Sequence, residues 1–286
     1  MHNLKDYINE KFQVGKDYKH QYSYHPKDNS ELINAIRDKI KKEGYGTKDN
    51  PLNLNDIDTS KITDMSYLFY VYGDYKLSQL SKNGYFNISD WDVSNVKDMT
   101  YMFYGSKFDG DISDWNVSNV KDMSWLFTMA NFKGDISDWD VSNVEDMQLM
   151  FCDSRFNGNI SRWNVYKVKN MSGMFYNSYF NGNISKWDVG NVENMNNMFR
   201  DSKFNGNISE WDVHNVENMA HMFYGSSFTG DISNWNVSGT KNMRFMFAES
   251  KFDGDISGWN VNNVEDMYDM FANCPLQKNP PKWYKR

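Results

Sequence analysis

The sequence predicts an α/β solenoid: a right-handed, leucine-rich-repeat-like array of about nine 24-residue strand-turn-helix coils, closed by N- and C-terminal caps. Three observations predict it. First, Trp91, Trp115, Trp139, Trp163, Trp187, Trp211, Trp235 and Trp259 are spaced by 24 residues without a slip, so eight of the ten Trp occupy one structural position. Second, the frame around them repeats: Ile lies three residues before each (Ile88 to Ile256), Val two after (Val93 to Val261), Met eight after (Met99 to Met267), Met or Leu eleven after, and Phe twelve after (Phe103 to Phe271). With Met65 of an upstream coil, sixteen of the 18 Met fall in these slots. Third, a period of 20 to 50 residues makes units too small to bury their own apolar face, so each must stack on its neighbours.

Within a unit, Ile-x-x-Trp-x-Val has the apolar offsets of the leucine-rich repeat pattern. Around Trp-x-Val the period is two, which predicts a strand with one buried face. Met99-x-x-Met102-Phe103 then changes to spacing three and four, which predicts a short helical turn. Asp98, Asp122, Asp146, Asn170, Asn194, Asn218, Asn242 and Asp266 stand just before the first Met, where a side-chain oxygen can cap a free backbone N–H. The glycines five before each Trp, Gly110 to Gly254, are expected to reverse the chain into the next strand.

The frame also fits Leu54-x-x-Ile57-x-Thr59-x-x-Ile62-x-x-Met65-x-x-Leu68-Phe69, with Ile in place of Trp. The step from Met65 to Met99 is 34, so ten extra residues enter around Tyr70 to Gly84, read as a loop on one face. Upstream, Ser30 to Glu43 reads as an amphipathic helix, with Leu32, Ile33, Ile36 and Ile40 in register, Asp28 or Ser30 as cap and Gly44 after it. Leu4, Tyr7, Ile8 and Phe12 suggest a shorter helix. The organisation is therefore an N-terminal α/β cap over 1–50, a repeat array over 51–273 with its insertion near 70–84, and a C-terminal cap over 274–286 containing Pro275, Pro280, Pro281 and Trp283.

Composition narrows the function classes. Of 286 residues, 40% are apolar, 24% charged and 16% aromatic, with net charge −7. Residues 1–56 hold 10 basic and 9 acidic groups, leaving 21 and 29 for the rest. The acidic body and the lack of a basic stripe argue against nucleic acid. No window reaches 18 apolar residues, so no membrane span is expected. Cys152 and Cys274 make no motif and are expected to be reduced and buried. The N-terminus, with no apolar h-region and no lipobox cysteine, predicts a cytoplasmic chain.

Repetition argues against catalysis, because a residue recurring in eight coils is structural whereas a reaction needs a unique constellation. No enzyme activity, cofactor or metal is therefore expected. His214 and His221 lack a third ligand; His2, His20 and His25 lie in the cap. Calcium at Asp109-Gly110-Asp111 loses to turn chemistry, because Asn157-Gly158-Asn159 stands in the same place. Cys152 occupies the slot of Tyr104, Tyr176 and Tyr224, and the Met and Phe ladders read as core.

The outward positions beside each Trp carry the information that the core does not dictate. Just before Trp the series runs Asp90, Asp114, Asp138, Arg162, Lys186, Glu210, Asn234, Gly258; three after, it runs Ser94, Ser118, Ser142, Tyr166, Gly190, His214, Ser238, Asn262. The Asp or Asn just after Trp recurs and is partly structural. The candidate partner-binding residues are an acidic end, Asp90, Asp114 and Asp138, and a central patch of Arg162, Tyr166, Lys167, Lys186 and His214, which supplies the Arg and aromatic anchors on which binding energy concentrates.

The repeated F-N-G-N-I-S-x-W-D-V-x-N-V-x-N-M-x-x-M-F, as in Phe204 to Phe223, resembles the BspA-like leucine-rich repeat surface proteins, including mycoplasma lipoproteins, over residues 52 to 276. The resemblance implies a non-catalytic adhesion or partner-binding role, although the signal peptide and lipidation cysteine of surface members are missing. Tyr7-Ile8-Asn9-Glu10-Lys11 and Tyr22-x-Tyr24-His25-Pro26-Lys27 resemble openings of gut bacterial and phage proteins, which implies action inside a bacterial cell or in a virion. The expected function is thus a non-catalytic module that binds another protein through its outward strand face. The alternative is a structural component of a virion or cell envelope. The sequence leaves the partner's identity and the oligomeric state open.

Overall fold

A computed structural model of the chain describes residues 21–285. The expected helix around Leu4 to Phe12, and His2 and His20, lie outside the described residues. Helix α1 spans Asn29–Glu43; Asp28 is its cap, accepting the Glu31 N–H, and Gly44 closes it with φ 81°. Its buried face, Leu32, Ala35, Ile36 and Ile40, belongs to the same apolar cluster as Leu54, Ile57 and Ile62 of the first coil. The parallel pair β1 (Leu52–Asn53) and β2 (Phe86–Asn87) joins the first coil to the second.

The 70–84 insertion, expected to be a loop, holds helix α2, Tyr75–Asn83. The signals were local: Asp74 accepts the N–H groups of Lys76 and Leu77, Leu77 and Leu80 turn inward, and Gly84 ends the helix with φ 76°. Arg37 of α1 reaches Asp74, so the two helices also meet through an ion pair.

Beyond α2, successive coils join by parallel bridges at a step of 24: Asp98 to Asp122, Asp122 to Asp146, and so on to Asn242 with Asp266. These bridges run along the segment expected to be helical. Met99 N–H donates to Asp122 C=O (3.0 Å), Tyr101 to Ser124 (3.1 Å), Phe103 to Leu126 (3.0 Å) and Gly105 to Thr128 (2.8 Å). The alternate N–H groups close tight turns instead, Met102 to Met99 C=O and Tyr104 to Tyr101 C=O. Tyr101, third in the first turn, has φ 59°, the mark of a type II turn. The donors that a helix would spend along its own axis are spent on the neighbouring coil.

The expected strand at Trp-x-Val does not form either: the segment has no regular structure and lies between two turns. Its period-two burial holds, with Trp115 and Val117 buried and Asn116 exposed, but the ladder bonds do not form. Trp115 N–H closes a turn on Ile112 C=O, and the indole ties the coils together instead. Nine of the Trp, from Trp91 to Trp283, donate Nε1–H to a backbone carbonyl of the preceding coil, as Trp187 does to Ile160 (3.0 Å). Trp283, assigned to the end of the pattern, is therefore one more member of the column, stacked on Trp259 at 6.4 Å. Alongside run two stacked Phe columns, such as Phe151 on Phe175 at 5.8 Å and Phe156 on Phe180 at 6.5 Å.

The Gly110 series serves packing rather than reversal. None of these glycines has positive φ, and a Cβ on Gly182 would lie 2.8 Å from the Phe180 ring.

Asx turns make three corners of each coil. The side chain before Met, the one after Trp and the one four before Trp each accept the N–H two residues on, as Asp122 does from Ser124 (2.8 Å), Asp92 from Ser94 (2.9 Å) and Asp111 from Ser113 (3.0 Å). Asp and Asn do this equally, which explains their interchange. At the third corner the Ser N–H, helped by the Ser hydroxyl, holds Asp111, Asp135, Asp231 and Asp255 below the usual carboxylate range. A depressed folded-state pKa contributes stability above the ordinary carboxylate value, and that stability is lost as pH falls through the folded value. Asn159, Asn183 and Asn207 hold the central corners with no such group, and Asp146, raised by burial, titrates in the opposite sense. Below the carboxylate range, hydrogen exchange at Ser113, Ser137, Ser233 and Ser257 is therefore expected to accelerate before exchange at Ser161, Ser185 and Ser209; simultaneous loss at all seven would contradict this.

Candidate binding surfaces

The residues flanking the Trp column are all placed on the outside. Asp90, Asp114, Asp138, Arg162, Tyr166, Lys167, Lys186 and His214 are exposed. Their backbones are fixed by the Asx turns, so their side chains are free to vary. The division into an acidic end and a central patch does not hold at its boundary, because Arg162 Nη2 lies 2.6 Å from Asp138 Oδ1 in the preceding coil. That pair is open to water on both sides and contributes little to stability.

Lys167 interrupts a ladder of asparagines. Asn119, Asn143, Asn191 and Asn215 each donate Nδ2–H to a carbonyl of the preceding coil, for example Asn143 to Ser118 C=O (2.7 Å). Lys167 instead extends its Nζ to Asn143 Oδ1 (2.7 Å). It borders a shallow groove shared with Glu145, Lys169, Glu193 and Glu217. His214 Nδ1 sits 2.8 Å from Asp212 Oδ1, while His221 stacks on Phe245 at 5.2 Å; burial, then Arg200 and Arg244, push the His221 pKa down. The two histidines thus serve separate surroundings.

A second surface, formed by the tight turns around each Met, escaped the sequence reading. Its outward column runs Tyr67, Tyr101, Trp125, Leu149, Gly173, Asn197, His221, Phe245, Asp269, and all of these have positive φ. For a side-chain-bearing residue that conformation costs about 1–2 kcal/mol. Bulky rings nevertheless occupy it, with Tyr67 stacked on Tyr101 at 4.8 Å and Tyr101 on Trp125 at 5.0 Å. Beside them Tyr70 meets Tyr104 at 5.2 Å, and Arg200 lies over the rings of Tyr176 and Tyr224. The signal was available: Trp125 is the one Trp outside the series of nine described above. Cys152, also on this side, is buried, and burial pushes its thiol far above the usual range, so it is no ready thiolate nucleophile.

Identical joints repeated coil after coil, with variation confined to exposed positions, define a tandem-repeat protein. Four overlapping stretches, residues 40–151, 75–179, 107–203 and 177–283, match the family described as Mycoplasma protein of unknown function, DUF285. The chain belongs to that family. No curated protein and no solved structure matches it. No described helix is long and apolar enough to cross a membrane.

Proposed function

We propose that the chain is a non-catalytic module that binds another protein through the exposed patch around Arg162, Tyr166, Lys167, Lys186 and His214. The observation that carries this reading is the placement of Arg162, Tyr166 and Lys186. Exposed on adjacent coils, they set cations and an aromatic together on a body whose other charges are mainly acidic. Arg and aromatic side chains dominate association energies, and a partner with acidic groups would be drawn to this patch. The reading includes a right-handed, leucine-rich-repeat-like winding of the coils, kinship with BspA-like surface proteins, and action within a bacterial cell or a virion.

The test is affinity capture on the immobilised full chain from bacterial lysate, with the captured protein then titrated against variants. Replacing Arg162, Tyr166 and Lys186 together by Ala is expected to leave the melting temperature nearly unchanged and to weaken binding at least tenfold, about 1.4 kcal/mol. Asp138 is engaged by Arg162, so the matched control is Asp90→Asn, Asp114→Asn and Ser118→Ala. Loss of binding in the control alone would move the interface to the acidic end.

A further inference from the structure

We propose that the turn surface carries a binding cleft for a short neutral oligosaccharide, centred between Trp125 and Tyr176. The cleft arises where the aromatic columns lapse. In the outer column the rings stop at Trp125 and give way to Leu149 and Gly173; in the next, Tyr104 is followed by Thr128 and Cys152 before Tyr176. Gly173 raises no side chain, and Leu149 lies across it so closely that a Cβ there would meet Leu149 Cδ2 at 2.5 Å. The result is an open depression of about 540 Å³, walled by Tyr104 and Trp125 on one side and by Tyr176 and Arg200 on the other. Tyr104 and Tyr176 are three coils apart, about 14 Å at the spacing of hydrogen-bonded parallel strands, longer than one sugar ring.

The lining sets the chemistry of the occupant. Nine Trp spend their indole N–H on a carbonyl, whereas the indole N–H of the half-buried Trp125 has no hydrogen-bond partner among the described residues. The Gln148 amide and the hydroxyls of Tyr104, Ser172 and Tyr176 are equally unspent there. These donors and acceptors are uncharged. The charged groups in the lining, Asp153 and Arg200, are of opposite sign, and Arg200 is already held between two rings. A phosphate or sulfate ester would face an acidic body and, in the lining, Arg200 alone, already held between two rings and set against Asp153. An apolar peptide side chain would strip water from five polar groups without replacing their hydrogen bonds. A neutral sugar meets both demands: its C–H faces lie on the rings, and its hydroxyls both give and accept hydrogen bonds. The cleft lining shares no residue with the protein-binding patch proposed above.

The experiment is saturation-transfer NMR and calorimetry on the full chain with maltotriose, cellotriose, mannotriose and tri-N-acetylchitotriose. Sialyllactose, a heparin tetrasaccharide and a Trp-containing tripeptide serve as competing classes. The expected result is binding of at least one neutral trisaccharide, weakened tenfold or more by Trp125→Ala and by Gln148→Leu, and unchanged by Tyr166→Ala. Gln148→Leu keeps the test decisive if Trp125→Ala fails to fold. Silence of all four neutral sugars, preference for the anionic sugars or the tripeptide, or undiminished binding in a folded Trp125→Ala or Gln148→Leu variant would overturn the proposal.

Discussion

Trp187→Ala is expected to cost about 3–5 kcal/mol, the range of large aromatic truncations in well-packed cores. The indole is buried, stacks on Trp163 at 6.5 Å with the planes 3° apart, and packs against Phe175. Truncation also leaves the Ile160 carbonyl, to which Trp187 Nε1 donates, without that donor inside the core. Neighbouring coils are themselves repeats of the same rigid stack, so the void has little to collapse into it. Trp187→Phe separates the two contributions, restoring much of the ring packing but not the hydrogen bond. Thermal or urea unfolding measures both; a loss under 1 kcal/mol for the Ala variant would mean that the column is not what holds adjacent coils together.

Removal of residues 1–50 is expected to give an aggregating chain rather than a shorter soluble one. The cut takes away α1, whose Leu32, Ala35, Ile36 and Ile40 share a core with Leu54, Ile57 and Ile62 of the first coil. It also takes away Tyr24, which bridges to Ile57, and the Ser23 N–H bonded to Asp56 C=O. The exposed coil would then present both apolar side chains and unpaired backbone groups, the combination that templates edge-to-edge association. Size-exclusion chromatography with light scattering decides: a monodisperse, folded 51–286 chain refutes the covering role of the N-terminal segment.

The period of 24 was legible because the tryptophans are bulky, rare and never slip; stacking followed from the burial each unit lacks. Local conformation was less legible, for a physical reason. Met99, Met102 and Phe103 fall on one face both in a helix and in consecutive tight turns, so spacing alone does not separate them. What separates them is the destination of the N–H groups of Met99, Tyr101 and Phe103, which is set by the neighbouring coil and is invisible in a single unit. At Trp-x-Val, the alternation of burial was right, but the indole N–H had taken over the task of joining coils. The outward residues beside Trp were placed correctly because exposure follows from alternation. The aromatic turn surface was missed because Tyr101 and Trp125 sit in left-handed backbone, a conformation that sequence preference assigns to Gly or Asn.

From Trp115 to Trp283 each indole joint spans 27 residues, and each backbone bridge from Asp98 to Asp266 spans 24. A segment of 24 residues can therefore be removed from the interior, or one added, and every remaining tryptophan of the column still meets a carbonyl of the coil before it. The length of such a chain can drift by whole units through unequal recombination of its gene, without an intermediate that has lost a joint. Surface features built from three or four particular coils, such as the gap between Tyr104 and Tyr176, have no such tolerance: a change of one unit inside them redraws the surface while the scaffold beneath stays intact.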